Sequence, residues 1–86
     1  MEDLAAWIEA HGATVEQVAT ACKCTPWLIR RVRDGRRPLF CELAELIERV
    51  DGHETARRII AHHRDLAAHA AEREAQALGA RTAMAV

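Results

Sequence analysis

The stretch TVEQVATACKCTPWLIRRVRDG, Thr14 to Gly35, holds two apolar-periodic segments separated by three residues. Val15, Val18, Ala19 and Cys22 recur at intervals of three and four, which places them on one side of a helix. Thr14, followed three residues later by Gln17, supplies a capping box for its start. Beyond Lys23 and Cys24, Thr25 offers an N-cap oxygen, and Pro26 stands at the first helical position, where its missing N–H costs nothing. The spacing predicts two short helices, the first ending near Lys23 and the second running to Gly35.

Two such helices joined by Lys23, Cys24 and Thr25 fit helix-turn-helix geometry, in which the second helix lies in the major groove while the first crosses the backbone. Ala19 is small where the helices must approach closely. Ile29 and Val32 are apolar where the second helix faces the first, and Trp27, Arg30 and Arg31 are left on other faces.

The flanking sequence also reads as helix. Leu4, Trp7 and Ile8 recur at helical spacing before Gly12, a natural stop. After a loop at Arg36 and Arg37, a fourth helix is expected to start at Pro38 or Leu39, with Phe40, Leu43, Leu46, Ile47 and Val50 as its apolar set and Gly52 closing it. From Glu54 to about Leu78 neither Pro nor Gly interrupts the chain, which predicts a long, Ala-rich fifth helix. The remainder has little to bury and is expected to fray. The domain reading is therefore residues 1–52 as one helical domain, 53–79 as the long helix, and 80–86 as a flexible tail.

At 86 residues the chain is near the lower size limit for folding on a hydrophobic core alone. Half of it is hydrophobic but only 3% is aromatic, so the core is aliphatic, and no alternating segment suggests a strand. No window approaches the roughly 18 apolar residues of a membrane span, and MEDLAAW lacks the basic start of a secretory signal. No membrane partner and a cytoplasmic location are expected. Three cysteines, two of them one residue apart, read as reduced thiols rather than a disulfide framework. Arginine outnumbers lysine eleven to one, and Ser, Asn and Tyr are absent, a composition that suggests a GC-rich bacterial or phage coding sequence.

The formal net charge of −1 conceals a strong asymmetry. Lys23, Arg30, Arg31, Arg33, Arg36 and Arg37 place six of the 12 Lys and Arg residues in one short segment, with Asp34 the only acid among them. Glu42, Glu45, Glu48, Asp51 and Glu54 follow, opposed only by Arg49. A dipolar domain of this kind holds a polyanion on its basic edge without being basic overall.

Thr14 to Gly35 resembles, without a gap, the helix-turn-helix of the phage Cro and repressor (XRE-type) family. Thr14, Glu16, Val18, Ala19, Thr25, Ile29, Val32 and Gly35 match its usual pattern, as does the LAELIERVDG helix that follows; the resemblance covers roughly residues 4 to 52. It implies an all-α fold, a small five-helix lambda-repressor-like domain, here with a long C-terminal helix. One departure stands out: Lys23 occupies the turn position where the family usually has Gly. A non-Gly residue with positive φ is disfavoured by roughly 1 kcal/mol, so the turn is expected to be slightly strained.

Carried over position by position, the resemblance makes Pro26, Trp27, Leu28, Arg30 and Arg31 the positions facing the groove or its walls, with Pro26, Trp27, Arg30 and Arg31 as base contacts. Arginine donates two parallel hydrogen bonds to guanine O6 and N7, and the helix holds no Asn or Gln to pair with adenine, so a guanine-containing half-site is expected. A thymine methyl against Trp27 fits the same face. Thr14, Gln17, Lys23, Arg33, Arg36 and Arg37 are the expected phosphate contacts.

The remaining reactive residues point elsewhere than chemistry. Zinc sites commonly space paired cysteines by two to four residues, whereas Cys22 and Cys24 are separated by one and read as small hydrophobes. His53, His62, His63 and His69 are not spaced as a ligand pair on one helix face. No nucleophile has a plausible local base, so neither an enzyme nor a cofactor is expected. The fifth helix is longer than its own domain requires. Ile59 and Ile60 can dock on that domain, and a seam of Ile59, His63, Leu66, Ala67, Ala70 and Ala77 is the expected dimer interface.

The sequence thus leads to a homodimeric, sequence-specific regulator of transcription that binds double-stranded DNA, a repressor reading a guanine-containing inverted repeat. A small phage-type activator, and an antitoxin-like adaptor that binds another protein through the long helix and DNA only for autoregulation, are the competing expectations.

Overall fold

The computed structural model of the protein describes residues 3–85, with side chains to Gly79. Five α-helices follow in order: α1 (Leu4–Ala10), α2 (Val15–Cys22), α3 (Pro26–Arg33), α4 (Cys41–Asp51) and α5 (His53–Ala85). No strand occurs among the described residues.

The local signals act as their chemistry dictates. Thr14 and Gln17 form a reciprocal capping box: the Thr14 hydroxyl oxygen accepts from the Gln17 N–H at 3.1 Å, and the Gln17 side-chain oxygen accepts from the Thr14 N–H at 2.9 Å. Thr25 caps α3, with Pro26 at its first turn. At α1, Asp3 accepts from the Ala6 N–H at 2.7 Å. The backbone N–H of Leu4, another helix-start donor with no partner inside its own helix, reaches across the fold to His63 Nε2 at 2.8 Å.

Each helix then contributes an apolar face to one core. Leu4, Trp7 and Ile8 come from α1, and Val15, Val18, Ala19 and Cys22 from α2. Ile29 and Val32 of α3, Leu43 and Ile47 of α4, and Ala56 and Ile59 of α5 complete it. Ile29 and Val32 are fully buried, so α3 is anchored by its inner side alone, and truncating Ile29 to Ala should cost about 2–5 kcal/mol. α5 packs mainly on α4, while α2 touches α3 and α4.

Two boundaries and one buried position differ from expectation. α4 begins at Cys41 rather than at Pro38 or Leu39, because Leu39 and the extended Phe40 are drawn against the core before the helix can start. Val50, expected in the apolar set of α4, is exposed. The backbone of α5 runs past Leu78 to Ala85, 33 residues or about 50 Å at helical rise. The flexible tail expected over residues 80–86 lies outside the residues whose side chains are described.

Gly35 fixes how α5 meets the rest. It has φ +78° and is buried, and a Cβ built there would approach the Cβ and Cδ1 of Leu66 at 3.1 Å. The chain therefore leaves α3 through a left-handed glycine that lies directly under α5.

Candidate nucleic-acid interface

α3 divides its side chains by angle. At 100° per residue, Ile29 and Val32 point to one side, while Trp27, Arg30, Arg31 and Asp34 cluster on the other. With the first side buried, the second faces outward. Trp27 is 58% exposed, a large apolar ring left in solvent by a chain that buries its other tryptophan to 3%. Pro26, Leu28 and Arg31 are half-buried, and Arg30 is exposed.

The connection between α2 and α3 holds the outward face in place. Lys23 adopts the left-handed conformation, φ 57° and ψ 42°, and is the only non-glycine residue with positive φ among those described. Its N–H closes onto the Thr20 carbonyl at 3.2 Å, and the Cys24 N–H onto the Ala19 carbonyl at 3.0 Å, satisfying two carbonyls at the end of α2. The position where a glycine was expected does have the backbone that favours glycine. Lys23 is exposed, with its ammonium group free of any ion pair among the described residues.

The arginines fall into two classes. Arg30 donates to the Glu16 carboxylate of α2 at 2.6 Å, Arg33 pairs with Asp34 at 3.3 Å, and Arg36 approaches Glu74 of α5 at 3.7 Å. Arg31 and Arg37 instead lie against the Trp27 ring, their guanidinium carbons 5.4 and 5.9 Å from its centroid. Both distances are within cation–π range. Glu16 was matched in sequence only as part of a helix pattern. Its link to Arg30 spans 14 residues and becomes visible once α2 and α3 pack.

Thr14 and Gln17 spend acceptor oxygens on the capping box, which leaves the Thr14 hydroxyl hydrogen and the Gln17 amide N–H groups as outward donors. Of the expected phosphate contacts, Lys23 precedes α3, Arg33 is its last residue, and Arg36 and Arg37 lie in the loop beyond its end.

The expected dimer residues do not form one exposed seam. Ile59 and His63 are fully buried inside the single chain, so neither can touch a partner; they belong to the core. Leu66, Ala67 and Ala70 are half-buried, and Ala77 is exposed. Leu66, Ala70 and Ala77 line a cleft of about 470 Å³ between α5 and the loop at Asp34–Arg36. From Ala71 to Gly79 every residue of α5 is exposed.

The thiols and imidazoles have structural settings. Burial pushes the Cys22 thiol above its ordinary pKa, with Cys24 and Glu42 adding to the effect against Arg49. Cys24 is raised by burial and then by Glu42. Both favour the neutral thiol, the opposite of an activated nucleophile. No group of three His, Cys, Asp or Glu is arranged to hold a metal ion among the described residues. His11 and Trp7 of neighbouring turns both hydrogen-bond the Asp51 carboxylate at the end of α4, His11 at 2.7 Å.

No protein-family model matches this chain, and neither a curated protein nor a solved structure shows significant similarity to it. No described helix is long and apolar enough to cross a membrane.

Proposed function

We propose that this chain is a sequence-specific, double-stranded-DNA-binding regulator of transcription, with α2, the Lys23–Thr25 connection and α3 acting as a helix-turn-helix of the Cro and repressor kind. One observation carries the reading: α3 is buried through Ile29 and Val32 and presents Trp27, Arg30 and Arg31 outward, beside a left-handed connection to α2. A helix fixed by one side, with basic side chains turned outward on the other, suits insertion into a major groove. Pro26, Trp27, Arg30 and Arg31 make the groove-facing surface; Thr14, Gln17, Lys23, Arg33, Arg36 and Arg37 flank it as phosphate contacts.

The active species in this reading is a homodimer on an inverted repeat containing guanine. The exposed stretch of α5 from Ala71 to Gly79 supports it, since an isolated Ala-rich helix end is only marginally stable in water and gains from a partner. The regulator acts as a cytoplasmic repressor, because occluding a promoter asks least of so small a protein. The same exposed stretch favours a second reading, an adaptor that holds another protein along α5.

Footprinting on the DNA upstream of its own gene, at several salt concentrations, tests the proposal. Protection of a guanine-containing inverted repeat is expected, with a log-log salt slope of about −5 if six phosphates are neutralised. A flat salt response overturns it.

A further inference from the structure

We infer that Trp27, Arg31 and Arg37 form one phosphate-gripping unit and that base reading on α3 falls to Arg30, an inference that rests on α3 being the DNA-facing helix. It reassigns two of the four groove-facing residues from base edge to backbone.

The first ground is charge. Arg30, Arg33 and Arg36 each have a carboxylate within ion-pair distance, whereas Arg31 and Arg37 have none among the described residues. Their partner is the Trp27 ring. An indole face attracts a guanidinium through its quadrupole and leaves the positive charge unneutralised. The two cations are therefore held close to one ring at full charge, despite their mutual repulsion.

The second ground is hydrogen bonding. The Nε–H of Arg31 is buried and has no acceptor among the described residues. That nitrogen is closed to solvent, so an acceptor from outside meets Arg31 through the remaining guanidinium N–H groups. The third is convergence. Arg31 lies one turn below Trp27 on α3, while Arg37 returns from the loop beyond its end. Two separate elements bring two forked donors to one place before any ligand arrives, which lowers the entropy lost on binding.

A phosphodiester fits this arrangement. It carries a full negative charge and several acceptor oxygens, and guanidinium groups match it geometrically. A guanine edge requires an arginine extended into the groove with two parallel N–H donors still available, and Arg31 instead lies back, half-buried, over the indole. Arg30 has the complementary setting. Its exposed guanidinium is steadied by Glu16 at 2.6 Å. That carboxylate repels a phosphate but not a neutral base edge, so the pair is better suited to reading than to gripping.

Four variants separate these roles: the Arg31→Ala, Arg37→Ala double variant, Arg37→Ala alone, Trp27→Ala and Arg30→Ala. The probes are a short duplex selected by the wild-type protein from a random pool and a scrambled duplex of equal composition. Binding to each is measured by anisotropy between about 50 and 200 mM salt. Helical content and melting of each variant confirm folding. The double variant should weaken both duplexes by a similar factor, on the order of tenfold, and flatten the salt slope by about 0.9, for the one phosphate no longer gripped. Arg37→Ala, in the exposed loop and least able to disturb folding, should flatten it by about half as much. Trp27→Ala keeps both charges and should weaken both duplexes with the slope near wild type. Arg30→Ala should abolish the preference for the selected duplex.

If the Arg31 and Arg37 changes erase that preference and leave the slope unchanged, Arg31 reads bases and the inference is overturned. If the wild-type protein binds neither duplex, the DNA reading itself has failed and takes this inference with it.

Discussion

The backbone N–H of Leu4 donates to Nε2 of His63 at 2.8 Å, tying the first turn of α1 to the middle of α5 across 59 residues. Nε2 must accept, so the buried ring is neutral with its proton on Nδ1. Nδ1 makes no hydrogen bond of normal geometry among the described residues, which leaves the Val32 backbone beside it a weak partner at most. Desolvation lowers the His63 pKa below its ordinary 6.5, and His62, its ring 5.5 Å away, lowers it further; Asp3 and the Val32 backbone act in the opposite direction.

A pH-dependent stability follows. Above the unfolded value near 6.5 the ring is neutral in both states, and its contribution is complete. As pH falls through 6.5 the unfolded chain takes up the proton first, so stability declines until the lowered folded pKa is reached, at up to about 1.4 kcal/mol per pH unit. Urea midpoints should fall between pH 7 and 5 in the wild type. His63→Gln, whose amide oxygen still accepts from Leu4, should show a shallower decline; equal slopes would exclude His63 as the cause.

In the proposed DNA-binding role, Lys23 sets a trade between stability and binding. Its left-handed backbone costs roughly 1–2 kcal/mol, part of which a glycine gives back as extra unfolded-state entropy. Lys23→Gly should therefore stabilise the fold by about 0.5–1 kcal/mol and raise the melting temperature by a few degrees. The same change removes an exposed positive charge beside α3, so affinity for duplex DNA should drop and the salt slope flatten by about 0.9. A variant neither more stable nor weaker in binding contradicts both halves.

Gly35 tests the seat of α5. An alanine there is strained by the positive φ and places its Cβ 3.1 Å from Leu66, and the two effects together should cost about 2–3 kcal/mol. Leu66→Ala removes the crowding atom Cδ1 but keeps its own Cβ. In a double-mutant cycle the pair should couple favourably, the double variant being more stable than the sum of the singles predicts. Strict additivity would show that the backbone strain alone sets the cost.

These sites show which parts of the fold the sequence carries on its surface. Helix starts at Thr14 and Thr25 were legible because a cap acts within three residues of itself. The inner and outer sides of α3 were legible because helical period alone separates Ile29 and Val32 from Trp27, Arg30 and Arg31. What period cannot tell is which partner covers a face. His63 was placed on the right side of α5 and given the wrong neighbour, a second subunit instead of Leu4. The Glu16–Arg30, Trp7–Asp51 and Arg36–Glu74 links escaped for the same reason, since each depends on packing between distant segments. The start of α4 was misplaced because burying Leu39 and Phe40 outweighed the preference of Pro38 for a first helical turn.

Asp51 should govern the acid limb of stability. Hydrogen bonds from His11 and then from Trp7 hold its carboxyl below its ordinary 3.8, against a smaller opposing effect of burial. With the folded pKa depressed, the contribution is present above about 3.8 and is lost as pH falls through the lower folded value. Asp51→Asn should lower the urea midpoint at neutral pH and reduce the loss seen below pH 3.8. An unchanged acid limb would place the acid sensitivity in another carboxylate.

Pairing of two copies along α5 makes a prediction that the fold of one chain does not. Ala77 is exposed at the edge of the cleft beside α5, so replacing it with glutamate removes no buried contact and keeps a residue that favours helix. In a dimer joined through that stretch, the two new carboxylates face each other across the seam and must be desolvated near like charge, which is strongly unfavourable. Sedimentation should then show a dimer for the wild type and a monomer for Ala77→Glu at the same concentration, with equal helical content. DNA affinity should fall for the variant on an inverted repeat far more than on a single half-site, since only the repeat engages both copies at once. A wild-type chain that sediments as a monomer, or a variant that remains dimeric, removes α5 beyond Ala70 from the interface and leaves it as the surface on which the adaptor reading depends.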